Sequence, residues 1–592
     1  MPKLPLCALF LGTVLIITFV ALHWVVQPLF YGEQVVQGIR SLYGPFGSVD
    51  HWKKFGLPTY VALDPEQLHV YLFNVTNSQE IVRDGMKPIL EEVGPYVYII
   101  EKIIEEIPRN DTATIRFKER TIYHFSPLYS GSLSENDLVT VLNVPFVKTV
   151  KDLENMARQS SPRDMFPILL LLEQGLETVF VDATVRELLF DGLSQPSLAK
   201  VQKLIGGHAL QTFQNGKFRF FHHGNQSESK DYVISTRLSP TTSPGGPELD
   251  YGQILSYDNA TELNYWAKTA DGKCNEISGT PDGTLFKPLK IQGMSLSVFK
   301  PEICRSVQFH LNGVVRPYDG LIGYRFSLGR ELLWDSSINF ENNCFCPNPG
   351  IEIKTCLPAG TLSNCRDAGV PYITTLPHYL NSPIGGKPYL TQVVGLYPKP
   401  TLHESFIDVE PITGLALQSN IKLQLNFELS PSGAHDDLKN VPQVLFPILW
   451  TAEVKSMNMV MKQGIQQNIM RPLEIMEYVK WAVLAYAGRR NIRCDFQKHY
   501  LHNFFSDNIW LLKIPKNPIY FNTMILSSQD SQSVRSLSVK TRKAGSIPLA
   551  KRSVSAEAVF SNRTKYVAVT DTPSLKSSVS LGKRLEKAES VL

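Results

Sequence analysis

Cysteine is scarce in this chain, with 8 among 592 residues, and no two are spaced CxxC. That spacing argues against a thioredoxin-like dithiol and against the paired short loops that usually hold a structural zinc ion. Equally missing are a GxSxG elbow, an HExxH pair, a Walker loop and a GxGxxG after a strand-like run. The common hydrolase, metalloprotease, nucleotide-triphosphate and dinucleotide chemistries therefore have no motif to rest on, and no cofactor is implied. His222 and His223 stand together without a third metal ligand nearby in sequence. A second long charge-free run is also lacking: only residues 4–31, LPLCALFLGTVLIITFVALHWVVQPLFY, contain no Asp, Glu, Lys or Arg over such a length.

That single run is long enough to matter. About 20 residues of helix cross a bilayer core of roughly 30 Å, whereas a cleaved leader has a shorter apolar region ending in small residues. Here the run ends in His23, Trp24, Gln27 and Tyr31, an interfacial pattern that favours a retained anchor. Charge is distributed unevenly behind it. From Gly488 onward there are 18 Lys and Arg against 7 Asp and Glu, or +11, so the overall +4 leaves −7 on the first 487 residues. Sequons at Asn74, Asn110, Asn225 and Asn259 all lie in this acidic body and place it in the secretory lumen or outside the cell.

In that compartment the cysteines read as staples. Cys344, Cys346, Cys356 and Cys365 cluster within residues 342–365, and Cys274 and Cys304 lie upstream. Six in an oxidising compartment suggest three disulfides, with 15 possible pairings. Cys344 and Cys346 sit too close in an extended segment to join each other without strain. Cys7 and Cys494 are expected to be unpaired.

Runs rich in β-branched and aromatic residues dominate the body: 69–75, 96–100, 113–125, 217–223 and 421–429. Polar turn clusters at 239–248 and 381–388 separate such runs, so a large antiparallel β structure is expected. Helical spacing concentrates at 148–190, in LENMARQ (153–159), MFPILLLLEQGLETVF (165–180) and TVRELLF (184–190). Lys148, Lys151, Arg158 and Arg163 there are interspersed with Asp152, Glu154 and Asp164, which predicts a solvated face of mixed charge. Asp408 and Glu410 would share one strand face, the only hint of a catalytic carboxylate pair. His378 is expected to be a hydrogen-bonded structural residue.

Taken together in order, YLFNVTN (71–77), EEVGPYVY (91–98), TVRELLF (184–190), ISGTPDGTLFKP (277–288), ICRSV (303–307), NCFC (343–346), LPHYL (376–380), DVEPITG (408–414) and FPILW (446–450) resemble the CD36 family, the class B scavenger receptors. The resemblance runs from about residue 5 to 487. It implies an α+β membrane protein: an ectodomain with an antiparallel β-barrel core and an apical helical bundle, a tunnel through it, and a membrane span at each end. It also implies the disulfides Cys274–Cys344, Cys304–Cys365 and Cys346–Cys356. Family members bind or move lipids, lipoproteins, sterols, carotenoids or pheromones, and one branch carries a lysosomal hydrolase. The lysine pair that some members carry at the apex is absent near Gln174–Leu176.

The expected layout is a cytosolic N-terminus (1–3), a transmembrane anchor (4–31), a glycosylated ectodomain (32–472), an incomplete second membrane segment (473–488) and a basic, largely disordered tail (489–592). The second segment departs from the family, because its charge-free core, Trp481–Gly488, makes only about 12 Å of helix. Glu477 and Lys480 would have to reach back to the interface. The expected role is a plasma-membrane, or endosomal or lysosomal, receptor that takes a hydrophobic ligand and passes it toward the bilayer. Its expected partners are the membrane and a lipid or lipoprotein, with no nucleic acid. The alternative is a trafficking or adhesion receptor whose apical helices bind a protein.

Overall fold

The computed structural model describes residues 65–492 apart from short internal stretches, the longest being 159–174 and 236–251, together with a few residues between 13 and 21. All of them belong to one compact unit, residues 1–498. The strands in chain order are β1 (Gln67–Val75), β2 (Leu90–Ile107), β3 (Thr114–Phe125), β4 (Leu138–Leu142), β5 (Phe180–Thr184), β6 (Leu193–Ser194), β7 (Phe213–Gln214), β8 (Lys217–Phe218) and β9 (Lys230–Ser235). They continue as β10 (Ile254–Tyr257), β11 (Ser295–Lys300), β12 (Arg305–Tyr318), β13 (Leu321–Leu328), β14 (Leu362–Ser363), β15 (Ile373–Thr375), β16 (Phe406–Val409), β17 (Ala416–Leu429) and β18 (Val444–Ser456).

One antiparallel sheet organises the body, in the order β10-β9-β3-β2-β1-β18-β17-β16-β13-β12-β11. Its two ends meet through a connecting segment. Ile254 N donates to Gly279 O (2.9 Å), Thr280 N to Ser297 O (3.1 Å) and Phe299 N to Thr280 O (3.0 Å), so β10 and β11 are tied to the same two residues. The sheet is thereby closed into an irregular barrel, which leaves few unpaired backbone edges. Gly279 is required at this seam: its φ is +89°, and a Cβ would lie 2.1 Å from Ser297 O.

Period-2 patterning decides which side chains enter the barrel. In β1, Leu68, Val70 and Leu72 are buried while Gln67, His69 and Tyr71 are partly exposed. Directly opposed residues share a face, so Leu68 carries Tyr98 of β2 and Glu453 of β18 to the same side. Large aromatics including Phe73, Phe309, Phe326, Phe427 and Phe446 are fully buried, each contributing on the order of 2 kcal/mol in burial.

A smaller module packs on this body. It contains α1 (Val144–Ala157), the antiparallel β4–β5 pair, a π-helical turn at Glu187–Asp191 and α2 (Pro196–Ile205). Asn143 opens α1, its Oδ1 accepting from Phe146 N (3.4 Å) and its Nδ2 donating to Thr178 O (2.9 Å). The expected helical stretch 148–190 is corrected here, because Phe180–Thr184 forms a strand. The sequence FVDAT pairs with LVTVL of β4, and β-branched residues fit that pleat better than a helix. Most of 165–180, and Arg163, Gln174 and Leu176, lie outside the described residues. The expected strand at 217–223 is also shorter: β8 stops at Phe218, and His222 and His223 are outside the described residues.

The chain leaves the body through α3 (Arg471–Ile492). No helix among the described residues is both long and apolar enough to cross a membrane. Most of the anchor expected at 4–31 lies outside the described residues, as does the whole tail beyond Ile492. Within α3, Lys480 and Glu477 do not reach outward separately; they pair with each other at 2.6 Å. Phe19 lies against Trp481 with ring centroids 6.1 Å apart, so the first segment and α3 are in contact.

Candidate functional site

Inside the barrel, at one level, charged side chains converge from strands that are not neighbours. Lys300 at the end of β11 and Glu453 of β18 pair at 2.7 Å, although β17, β16, β13 and β12 separate their strands. Both side chains must therefore point inward and meet across the lumen. Glu66, just before β1, lies 3.3 Å from Lys102 of β2 and 3.4 Å from Lys455 of β18. Asp282, in the connecting segment, is 4.0 Å from Lys102 and gives its carbonyl to Lys455 Nζ at 3.1 Å. Register puts Glu119 of β3 on the same face, because Glu119 opposes Ile104, two residues from Lys102.

Enclosure would favour neutral forms, but mutual pairing reverses this for most members. Burial raises the Glu453 carboxyl, and the attraction of Lys300 and then Lys455 outweighs it, holding Glu453 down at about 2. Burial alone would lower Lys102; Glu119, Glu66, Asp282 and Glu453 around it push it well above the ordinary lysine range. Asp282 is lowered, because Lys455, Lys102 and the hydrogen bonds of Thr284 outweigh burial. Glu119 is the exception: burial, aided by Asp282 and Glu66, raises it despite Lys102. Three lysines thus face four carboxylates, and at Glu119 burial outweighs the attraction of its lysine.

Accessibility is uneven across the lattice. Glu453 keeps 31 % of its side-chain surface accessible, and Asp282 keeps 21 %. The lysines expose far less: 11 % for Lys102, 8 % for Lys300 and 7 % for Lys455. Glu453 and Asp282 are thus the accessible members of the lattice, and its lysines and Glu66 are packed more deeply.

The residues singled out in the sequence fall elsewhere. Cys274 and Cys344 form a disulfide, with Cα atoms 6.1 Å apart, beside the buried Trp266. Cys304 packs on the same cluster and gives its carbonyl to Trp266 Nε1 at 2.6 Å. Cys304 and Cys346 are disulfide-bonded as well, while Cys356 and Cys365 lie outside the described residues. Asn74 is half-buried in β1, and its Oδ1 accepts from Thr140 N of β4 (2.8 Å). Asn259 sits exposed in the turn after β10 with φ +65°. Asn110 and Asn225 lie outside the described residues.

The Asp408–Glu410 pair does not form. Asp408 receives Arg325 in a two-pronged ion pair (2.7 and 2.8 Å) and Gln418 Nε2 (2.7 Å). The strand ends at Val409, so Glu410 leaves that face and caps the next turn, accepting from Ile412 N (3.0 Å), Thr413 N (2.7 Å) and Thr413 Oγ1 (2.7 Å). The mixed-charge face of α1 is as expected for its described members: Lys148 pairs with Asp152 at 2.6 Å and Arg158 with Glu154 at 2.9 Å. Lys151 donates to Glu428 O at 2.6 Å. His378 is buried and fully hydrogen-bonded, as expected.

Comparison with known proteins identifies the lineage. The CD36 family profile matches residues 10–488. The chain belongs to the CD36 family. It is 26 % identical to sensory neuron membrane protein 2 of Anopheles gambiae over 80 % of this chain and 89 % of that protein. It is 28 % identical to scavenger receptor class B member 1 of Cricetulus griseus, covering 82 % of this chain and 85 % of that receptor. Lysosome membrane protein 2 of Rattus norvegicus is 30 % identical over 68 % of this chain and 76 % of its own length. These relatives match a plasma-membrane or lysosomal location.

The lumenal lattice escaped the sequence reading, although a trace of it was present. In β18 the apolar run VLFPILW is followed by Glu453 and Lys455, two charges on one strand face. Only the register with β1 shows that this face is the interior one.

Proposed function

We propose that this CD36 family member is a membrane-anchored receptor, not an enzyme, that binds an amphipathic hydrophobic ligand and passes it through the barrel toward the bilayer. The observation that carries this reading is the set of charged side chains that meet across the barrel from non-neighbouring strands, with Glu453 and Asp282 still accessible among them. Moving an acyl chain through water costs about 0.8 kcal/mol per exposed CH₂, and an enclosed route lowers that cost without covalent chemistry. Apolar side chains at the base support attachment to a membrane: Ile17, Ile475, Tyr478 and Trp481 are all exposed where the first segment meets α3. The remaining two disulfides, Cys304–Cys365 and Cys346–Cys356, and glycans on the four sequons complete the proposed ectodomain.

The test is photo-crosslinking in cells that express the full chain, using photoactivatable fatty acid and sterol probes. Adducts on inward-facing positions of β2, β11 or β18 support the conduit. Adducts confined to the anchor and α3 sink it.

A second reading, a receptor for a protein partner at the apical module, is favoured by one feature. Leu128, Tyr129 and Leu138 are 83 %, 50 % and 72 % exposed, close together in the chain beside that module. Single such residues need no explanation, but several together suit a protein contact.

A further inference from the structure

A second site lies outside the barrel, around His378. A cavity of about 460 Å³ opens to solvent between the start of β2, the segment 394–403 and the LPHYL turn. Its floor is a polar assembly of unusual order. His378 adopts φ +54°, a left-handed conformation that costs energy in a non-glycine residue and persists only where its surroundings fix it. The His378 and His403 rings stack face to face, with centroids 4.2 Å apart and planes within 2°.

Backbone donors fix both tautomers. Tyr397 N donates to His378 Nδ1 (3.0 Å) and Lys399 N donates to His403 Nδ1 (3.1 Å), so neither Nδ1 can carry a proton. Both imidazoles are therefore neutral with the proton on Nε2, the form in which two stacked rings do not repel. Burial is the largest cause that lowers His403 to about 4, in keeping with a neutral ring. His378 Nε2–H donates to Glu92 Oε2 (2.5 Å), and Trp450 Nε1–H donates to the same oxygen (2.8 Å).

Two groups are left open. Glu92 receives only neutral donors on Oε2, and among the described residues no lysine or arginine pairs with it and nothing donates to Oε1. His403 is 5 % exposed and lines the cavity, yet its Nε2–H has no acceptor among the described residues. A carboxylate held by two neutral donors in a concave site still carries a full uncompensated charge. The rim is apolar: Ile89, Val394, Tyr397 and Leu402 are 40 %, 47 %, 67 % and 54 % exposed. Glu91 adds a second carboxylate at the edge, and Lys399 is exposed there without an ion pair among the described residues.

We propose that this cavity binds an organic ammonium group attached to an apolar body, with Glu92 as the counter-ion and the Tyr397–Leu402 rim holding the body. The volume suits a small aromatic or alkyl amine, and an aromatic side chain beside a carboxylate favours a cation over a neutral isostere. His403 Nε2–H takes an acceptor atom of the same ligand where one is present. The ammonium comes from a free amine or from a lysine side chain of a protein, and the two are separated experimentally.

The full chain in detergent micelles is titrated with 4-fluorophenethylammonium, followed by ¹⁹F line broadening, with 4-fluorophenethyl alcohol as the neutral isostere. Saturable binding of the amine, weakened at least tenfold by Glu92→Gln and not shared by the alcohol, is expected. Val394→Arg, on an exposed rim position, brings its own cation to Glu92 and is expected to block binding with an unchanged melting temperature. Lys399→Ala removes a like charge and is expected to tighten it. A parallel arm compares the peptide acetyl-Phe-Lys-amide with its Nε-acetylated form: binding of the unmodified peptide in place of the free amine assigns the ammonium to a protein partner. Equal binding of amine and alcohol, binding unaffected by Val394→Arg, or no binding by either amine or peptide overturns the proposal.

Discussion

Lys300 Nζ and Glu453 Oε2 meet at 2.7 Å across the barrel from strands that four others separate. A pair of this kind ties two distant strands together across the barrel, and it does so with charges that need each other. Removing one partner strands the other in an enclosed site, which typically costs about 3 kcal/mol or more. Lys300→Met is therefore expected to lower the melting temperature and surface delivery markedly. The double variant Lys300→Met/Glu453→Leu, which removes both charges, is expected to recover most of the loss. Equal melting of Lys300→Met and wild type would show that the lattice is not a structural tie.

Glu119 makes a prediction of opposite sign. Its carboxyl is raised by burial, so the folded state binds its proton more tightly than the unfolded chain does. Stability from this group is thus gained as pH falls toward the ordinary carboxylate range and is missing at neutral pH. Glu119→Gln is expected to melt higher than wild type at pH 7.4, with the gap closing near pH 4.5. Glu453 behaves conversely: it is held at about 2, so its contribution is present above the unfolded carboxylate pKa and is lost only as pH falls through about 2. Mildly acidic compartments leave that pair intact.

Arg325 holds Asp408, which is fully buried, through two parallel bonds. A lysine can supply the charge but not the planar fork. Arg325→Lys is expected to reduce thermal stability moderately and Arg325→Met severely, by about 3 kcal/mol or more. Chemical denaturation of the purified protein measures the order. A reversed order would mean that the charge, rather than the geometry, is dispensable.

The contrast between Asp408 and Glu453 shows which parts of this molecule were legible in its sequence. Alternation in QLHVYLFNV and in the 421–429 run marked strands correctly, because a period of two is a local property. Proximity of Asp408 to Glu410 suggested a shared face, but the strand stops at Val409, and that end is set by the turn that Glu410 itself caps. Lumenal charges such as Lys102 and Lys300 look like ordinary surface residues until register and closure fix which face is inside. The same holds for the His378–His403 stack, whose members lie 25 positions apart and meet only through tertiary packing. Cysteine clustering was readable because disulfides follow compartment and count, and Cys274–Cys344 is present.

Asn259 occupies an exposed tight turn with φ +65°, accessible to the glycosylation machinery. Its Oδ1 accepts from Arg116, leaving Nδ2 as the attachment atom. Asn259→Gln is expected to remove one glycan, seen as a single step in electrophoretic mobility that endoglycosidase treatment abolishes. An unchanged mobility would mean that this sequon is not used.

The disulfide framework yields a prediction that discriminates among pairings. Cys274 and Cys344 are joined, which reduces the 15 arrangements of six cysteines to the three ways of pairing Cys304, Cys346, Cys356 and Cys365. Cys304 packs beside Trp266 on the cluster that contains Cys274 and Cys344. Non-reducing peptide mapping of the purified full chain is expected to recover Cys304 linked to Cys365 and Cys346 linked to Cys356. Cys304→Ser is then expected to leave Cys365 as a free thiol that alkylates, with Cys346 and Cys356 still protected. Alkylation of Cys356 instead would assign Cys304 to that partner and would rule out the proposed pairing, because one cysteine can hold only one bridge.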